Sequence, residues 1–181
     1  MASSGACASF ASCSNAEAVQ DLAPQPCVDE PESPLCAAAV CRGVTRLLFR
    51  HDLMAMAEVP LDGGRRADLM ALDAGGRIVI VEIKVSRADL LGDGKWPDYL
   101  DHCDRFFWAV PAGFDLDPLD GPAFLPERTG VIVADRYDAA IVRQAHPHPL
   151  PAHARKRCTL AFARRAARRL VGHHDPELAG Y

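Results

Sequence analysis

No two of the seven cysteines (Cys7, Cys13, Cys27, Cys36, Cys41, Cys103, Cys158) form a CxxC pair, and their number is odd. A zinc ribbon needs ligand pairs at short spacing, and a disulfide framework in a secreted domain needs an even count. Reduced thiols in a cytoplasmic protein are the expectation. Long apolar runs are missing too: none approaches the roughly 18 residues of a membrane-spanning helix. No basic stretch followed by an apolar block opens the chain, as a secretory signal would. Two further absences are local. Residues 1–41 hold Glu17, Asp21, Asp29, Glu30 and Glu32 but no Lys or Arg, whereas Ala139 to His174 hold eight Lys or Arg and no acid. The net charge of −4 therefore does not exclude a polyanionic partner, because local field rather than the total steers one.

What is present is a globular composition: 181 residues, 49% apolar and 24% charged. Residues 1–32, rich in Ala, Ser, Pro and acid, show no apolar periodicity. They are expected to be a disordered tail or to lie upstream of the natural start. Residues 33–174 read as one domain and 175–181 as a short C-terminal tail. Ser33 and Pro34 fit the N-cap and first position of a helix running to His51. Its apolar side carries Cys36, Val40, Val44, Leu47 and Leu48, and Arg42, Arg46 and Arg50 form a stripe that is either a solvated face or a basic surface. Strands are expected at Leu53 to Pro60, Arg66 to Leu72, Arg77 to Val85, Phe106 to Val110, Val131 to Ala134 and Ala140 to Val142. A helix is expected from Pro97 to Phe106 and another from Ala152 to Val171. The order is that of a mixed α/β domain.

The turn Asp73-Ala74-Gly75-Gly76 has strong hairpin chemistry. Centring it near Gly75 sets Asp68 opposite Glu82 and Arg66 opposite Lys84. Side chains alternate between faces, so Asp68, Glu82 and Lys84 share one face. Ala67, Leu69, Ala71, Val79, Val81 and Ile83 share the other. Directly opposed carboxylates repel. A divalent cation offsets this, since Mg²⁺ (or Mn²⁺) commonly binds one or two carboxylates, several waters and a substrate phosphate. Lys84 then stands near a metal-bound water or a phosphodiester that gains negative charge. The alternative is a salt-bridged cluster in which Arg66 and Lys84 neutralise the acids.

Two more stretches carry candidate chemistry. In GDGKWPDY, from Gly92 to Tyr99, Lys95 is placed to meet phosphate, Trp96 to stack on an unpaired base, and Tyr99 to face the carboxylates. The spacing of Tyr99, Cys103 and Phe106 equally suits a core stripe. In the last helix, HARKRCTLAFARRAARRL, Arg157, Arg164 and Arg168 share a stripe with Arg165 and Arg169 beside them, while Cys158, Ala161 and Phe162 turn inward. Cations without local acid partners suit the phosphate backbone of DNA, without sequence readout. The alternative pairs them with distant acids such as Asp115, Asp117 and Asp120.

An aspartate on the second strand and Glu-x-Lys on the third resembles the PD-(D/E)XK nuclease superfamily. More narrowly, RRADLMALD, VEIKVSRADLLGDGKWPDYLDHCDRFFWAVP and TGVIVADRYDAAIVR look like the MmcB-type DNA repair proteins of bacteria, over about Leu35 to Val171. The resemblance implies a restriction-endonuclease-like fold, a mixed β-sheet flanked by helices with an αβββαβ core and here a basic C-terminal helix. It also implies a role in repair of damaged DNA. On that basis Asp68 and Glu82 are metal ligands with the Ile83 carbonyl as a third, and Lys84 positions the attacking water. Many superfamily members use a glutamate on the first helix; this one has none. Glu58 is a candidate extra ligand, or else a partner of Arg65 or Arg66. DNA is the expected partner. Cutting both strands at once favours a homodimer, and a non-catalytic role favours repair-protein partners. A scaffold without nucleic acid is the third class.

Overall fold

The computed structural model describes residues 36–178. Helix α1 (Ala37–Arg50) leads into β1 (Met54–Pro60), β2 (Arg66–Leu72) and β3 (Ile78–Ile83). A short helix, α2 (Arg87–Gly92), and a 3₁₀ segment at Trp96–Asp101 precede β4 (Arg105–Pro111). Then follow β5 (Gly130–Ala134), β6 (Ala139–Arg143) and α3 (Ala152–His174). The six strands form one sheet in the order β1-β2-β3-β4-β5-β6. The β3–β4 and β4–β5 pairs are parallel and the others antiparallel. This is the αβββαβ order that the resemblance implied, on a mixed sheet with helices on both faces.

Each face has its own core. Val40, Val44, Leu47 and Leu48 of α1 pack on Leu69, Ala71, Val79, Val81 and Ile83. The opposite face gathers Met70, Ile78, Ile80, Phe106 and Trp108 under the 3₁₀ segment and the first half of α3, through Ala154 and Cys158. Each fully buried aliphatic or aromatic side chain contributes roughly 1.5–3 kcal/mol. The expected faces of the hairpin hold with one correction. Ala67 joins the Met70 side rather than the α1 side, because β1 and β2 are irregular beside it. Ala57 pairs with Leu69 and Val59 with Ala67, while Glu58 between them has φ +55°.

The hairpin turn closes by Gly76 N–H to the Asp73 carbonyl (3.0 Å), with Gly76 at φ +75°. Helix α1 starts at Ala37 with Cys36 extended before it; Ser33 and Pro34, the expected cap and first position, lie outside the described residues, as do residues 1–32. The expected helix from Pro97 to Phe106 is instead a 3₁₀ segment that ends at Asp101. Phe106 belongs to β4, whose two parallel neighbours draw the chain into extended form. The helix α2 was unexpected. Ser86 caps it by accepting from Asp89 N–H (3.1 Å), and the Ser-x-x-Asp spacing is a recognisable start signal.

Below the hairpin turn, Asp104 ties α3 to the sheet. It is buried, accepts from Ile78 N–H (2.7 Å) and Leu150 N–H (2.8 Å), and receives both terminal nitrogens of Arg155. Burial alone works against its charge, but the Arg155 guanidinium and two amides outweigh it and hold its carboxyl below the usual range. Across the other face, the β5–β6 turn leans on α1 at Gly43. A Cβ there would meet the Asp135 carbonyl oxygen at 2.2 Å and that of Asp138 at 2.6 Å. Arg46 donates to the Tyr137 carbonyl (2.9 Å) and Arg50 pairs with Asp138, so these two arginines serve as struts.

Gly43→Ala gains up to about 1 kcal/mol of helix propensity but must displace backbone carbonyls. Overpacking of that kind costs roughly 1–3 kcal/mol. We expect net destabilisation in chemical denaturation; equal or higher stability would show that the turn gives way freely.

Candidate active site

The register of the hairpin is the expected one, with Leu69 opposite Val81 and Met70 opposite Ile80. One step further, the β2–β3 ladder stops. Beyond that point β2 stays paired with β1, at Val59–Ala67 and Pro60–Arg66, and β3 with β4, at Glu82–Trp108 and Ile83–Ala109. The sheet is therefore forked between β2 and β3. Two side chains close the fork. Asp68 Oδ2 accepts from Ile83 N–H (2.9 Å), and Glu82 Oε1 accepts from Asp68 N–H (3.1 Å). Each carboxylate thus takes up a backbone N–H of the strand across the gap.

Glu82 is 3% exposed and Asp68 is half-buried. Burial first, then the charge of Asp68, pushes the Glu82 carboxyl up to about 8. Burial raises Asp68 as well, against the Ile83 amide and the charges of Lys84 and Arg66. Neither acid has an ion pair among the described residues. Lys84, 7% exposed, donates to Asp93 Oδ2 at 2.8 Å, with Asp89 Oδ1 at 3.9 Å. Burial lowers the Lys84 pKa, but Asp93, Asp89 and Glu82 together outweigh it and hold it above the ordinary value. Arg66 pairs with Glu58 at 3.5 Å. The salt-bridged alternative, with Arg66 and Lys84 directly neutralising Asp68 and Glu82, is not the arrangement adopted.

The neighbouring candidates divide. Tyr99 is buried, with its ring stacked on Phe106 (6.1 Å) and its hydroxyl donating to the Arg66 carbonyl (3.2 Å). Burial, then the charges of Glu82, Asp93 and Asp68, raise its pKa, so its phenol lies in the field of the fork. Lys95 is exposed next to it. Trp96 is a correction: it is 4% exposed and packs against Phe106 (5.4 Å) and Trp108 (5.1 Å). An indole locked in that aromatic cluster does not stack on a base. On α3, Arg157 donates to Asp62 Oδ2 at 2.9 Å in an exposed surface pair. Of the acids expected to neutralise that helix, Asp115 pairs with Arg87 and Asp120 with Arg143. Arg164, Arg165, Arg168 and Arg169 have no ion pair among the described residues.

A family model for DNA repair protein MmcB-like matches residues 23–177. The chain belongs to the MmcB-like DNA repair family. Among solved structures, a protein of unknown function from Silicibacter pomeroyi shares 40% identity, with 82% of this chain and 96% of that chain covered and a TM-score of 0.70. A repair endonuclease from Pyrococcus abyssi matches 38% of this chain and 36% of its own at 20% identity and a TM-score of 0.28, too slight to carry an argument. No curated protein matches.

In this MmcB-like chain the donor set suits a cation with few protein ligands. No three His, Cys, Asp or Glu side chains converge as a metal cage among the described residues. Two desolvated carboxylates without a direct counter-ion are what the fork offers, and Mg²⁺ characteristically keeps its remaining positions for water and substrate oxygens. Glu58 pairs with Arg66, one of the two outcomes the sequence had left open. Asp89 and Asp93, which hold Lys84, were missed. The run Ser-Arg-Ala-Asp and the Gly-flanked Asp93 in GDG were the available signals. A cavity of about 590 Å³ under the C-terminal end of α1, lined by Leu48, Val79 and Phe107 among others, contains none of the predicted site residues. No helix among the described residues is long and apolar enough to cross a membrane.

The raised Glu82 carboxyl makes a prediction with a definite sign. In the folded chain the proton is held up to about pH 8, whereas an ordinary glutamate releases it near 4.5. This stabilisation is complete below about 4.5 and is lost as pH rises through 8. Glu82→Gln keeps an oxygen for the Asp68 amide. It is expected to melt above the parent at pH 9 in metal-free buffer, and the advantage should vanish near pH 5. A pH-independent difference in melting temperature would remove Glu82 as the titrating group.

Proposed function

We propose that the chain is a metal-dependent phosphodiesterase acting on DNA, with the fork between β2 and β3 as its active site. The observation that carries this reading is the pair of half-buried Asp68 and buried Glu82, which accept backbone amides yet have no ion-paired cation among the described residues. In this reading Asp68 and Glu82 hold one Mg²⁺ (or Mn²⁺), with the Ile83 carbonyl as a third donor. When bound, such an ion polarises a phosphoryl oxygen and makes a bound water more acidic. Lys84 stands two residues beyond Glu82 on the same face. Its ammonium leaves Asp93 for the phosphate and stabilises the negative charge that grows in the transition state. Asp93 and Asp89 keep that ammonium charged until then. Lys95 and the unpaired arginines of α3 supply phosphate contacts that position DNA without reading its sequence.

A second reading has specific support. The Lys84 ammonium is engaged by two acids, and α1 carries no carboxylate at all. Both features suit a DNA-binding module that keeps the fork without chemistry and recruits other repair proteins.

The two readings separate in one experiment. Lys84→Ala and Glu82→Ala are compared with the parent on duplex, flap, junction and single-stranded DNA, in Mg²⁺ or Mn²⁺. The nuclease reading expects cleavage by the parent and a loss of about 10²–10³ in rate in Lys84→Ala, with circular dichroism showing an intact fold. No cleavage by the parent under either metal, with DNA affinity unchanged in Glu82→Ala, selects the binding module.

A further inference from the structure

Positive charge on α3 is split between two uses. Arg155 is spent on Asp104 and the Gly76 carbonyl, and Arg157 on Asp62. The next turns carry Arg164, Arg165, Arg168 and Arg169, none of them ion-paired among the described residues. Arg164 with Arg168 and Arg165 with Arg169 stand four residues apart, a spacing at which like charges repel. Three of these residues line one cleft, Arg164 and Arg168 from exposed positions and Arg165 from a half-buried one. Arg164, Arg165 and Arg168 converge with Ala161 and Pro60 on a cleft of about 180 Å³. Arg165 is half-buried there, and its Nε is shut off from solvent with no hydrogen-bond partner.

Three guanidiniums around one small cleft, one with an orphaned N–H, lack a counter-charge with several acceptor oxygens. A phosphate matches that need, because guanidinium donors meet its oxygens in planar, paired geometry. The place of the cleft says which phosphate. Pro60 ends β1 and pairs with Arg66 on β2, two residues before Asp68, so the cleft adjoins the open end of the fork.

We infer that the Pro60–Arg164–Arg165–Arg168 cleft is a subsite for a backbone phosphate of DNA, distinct from the phosphodiester at the carboxylates. It anchors the strand beside the fork. The identity of the anion rests on the DNA reading given above, whereas the convergence of the arginines does not. The subsite holds one phosphate without sequence preference, and Arg165 turns its fork of donors onto the anion.

The test is fluorescence anisotropy with a labelled DNA duplex in EDTA, so that no cleavage intervenes, over a range of salt. The full chain is compared with Arg168→Gln, Arg165→Lys and Arg42→Gln. Arg42 is exposed on α1, is not among the residues that line the cleft, and carries the same charge. Arg168→Gln should weaken binding about tenfold and lower the salt slope by about one. Arg165→Lys, which keeps the charge but loses the planar donors, should weaken it several-fold, and Arg42→Gln should stay within about twofold. Melting curves confirm that each variant is folded. If Arg168→Gln and Arg42→Gln prove indistinguishable while the parent binds, the subsite is overturned and DNA binding stands. Parental affinity in Arg165→Lys likewise overturns a built site in favour of diffuse charge. A parent that shows no salt-dependent DNA binding removes the DNA reading and the subsite together.

Discussion

The fork between β2 and β3 is the constraint on which the rest depends. Backbone amides that leave a ladder must find other acceptors, because an unsatisfied buried N–H is costly. Here two carboxylates take that part, reciprocally, from opposite sides of the gap. The arrangement solves one problem and creates another: two acids now sit close together in a desolvated place. Each neighbour responds to their charge. Lys84 lies close enough to lower both carboxyl pKa values without touching either, and the Tyr99 phenol is held protonated beside them. A proton on Glu82 relieves the repulsion in the isolated chain, and a divalent cation is the other way to relieve it.

The sheet makes the fork rigid. β3 is flanked by β2 and by the parallel strand β4, and every residue from Ile78 to Ile83 is buried. The aromatic cluster of Trp96, Phe106 and Trp108 backs β4 on the same side. The carboxylates are therefore carried by the most deeply packed part of the molecule, and the groups around them by its loops. Asp93, in the Gly92-Asp93-Gly94 loop, and Asp89, on the short helix α2, reach Lys84 from outside the sheet. That division suits a site in which the acids stay fixed and the ammonium changes partner.

Much of this was legible in the residues, and the reasons are physical. Asp73-Ala74-Gly75-Gly76 specifies a tight turn, the turn sets the register, and the register brings Asp68 to Glu82. Every step of that chain is local. Buried strands such as Phe106 to Val110 are equally plain, because a short apolar run closed by Pro-Ala-Gly has few other fates. Trp96 was misread because its burial comes from Phe106 and Trp108, contacts that its own loop composition does not disclose. The Asp62 partner of Arg157 was hidden for the same reason, lying 95 positions away. The helix expected from Pro97 stopped early because the parallel pairing of β4 claims Phe106. Local chemistry located the carboxylates, and only tertiary contacts could say which cations were free to serve a ligand.

The most direct measurement is an anomalous difference map from crystals of the protein soaked in Mn²⁺ near pH 8. The account predicts a peak at bonding distance from both the Asp68 and Glu82 carboxylates, with Lys84 beside it. A map without that peak, showing Lys84 or Arg66 swung onto the two acids instead, would contradict it.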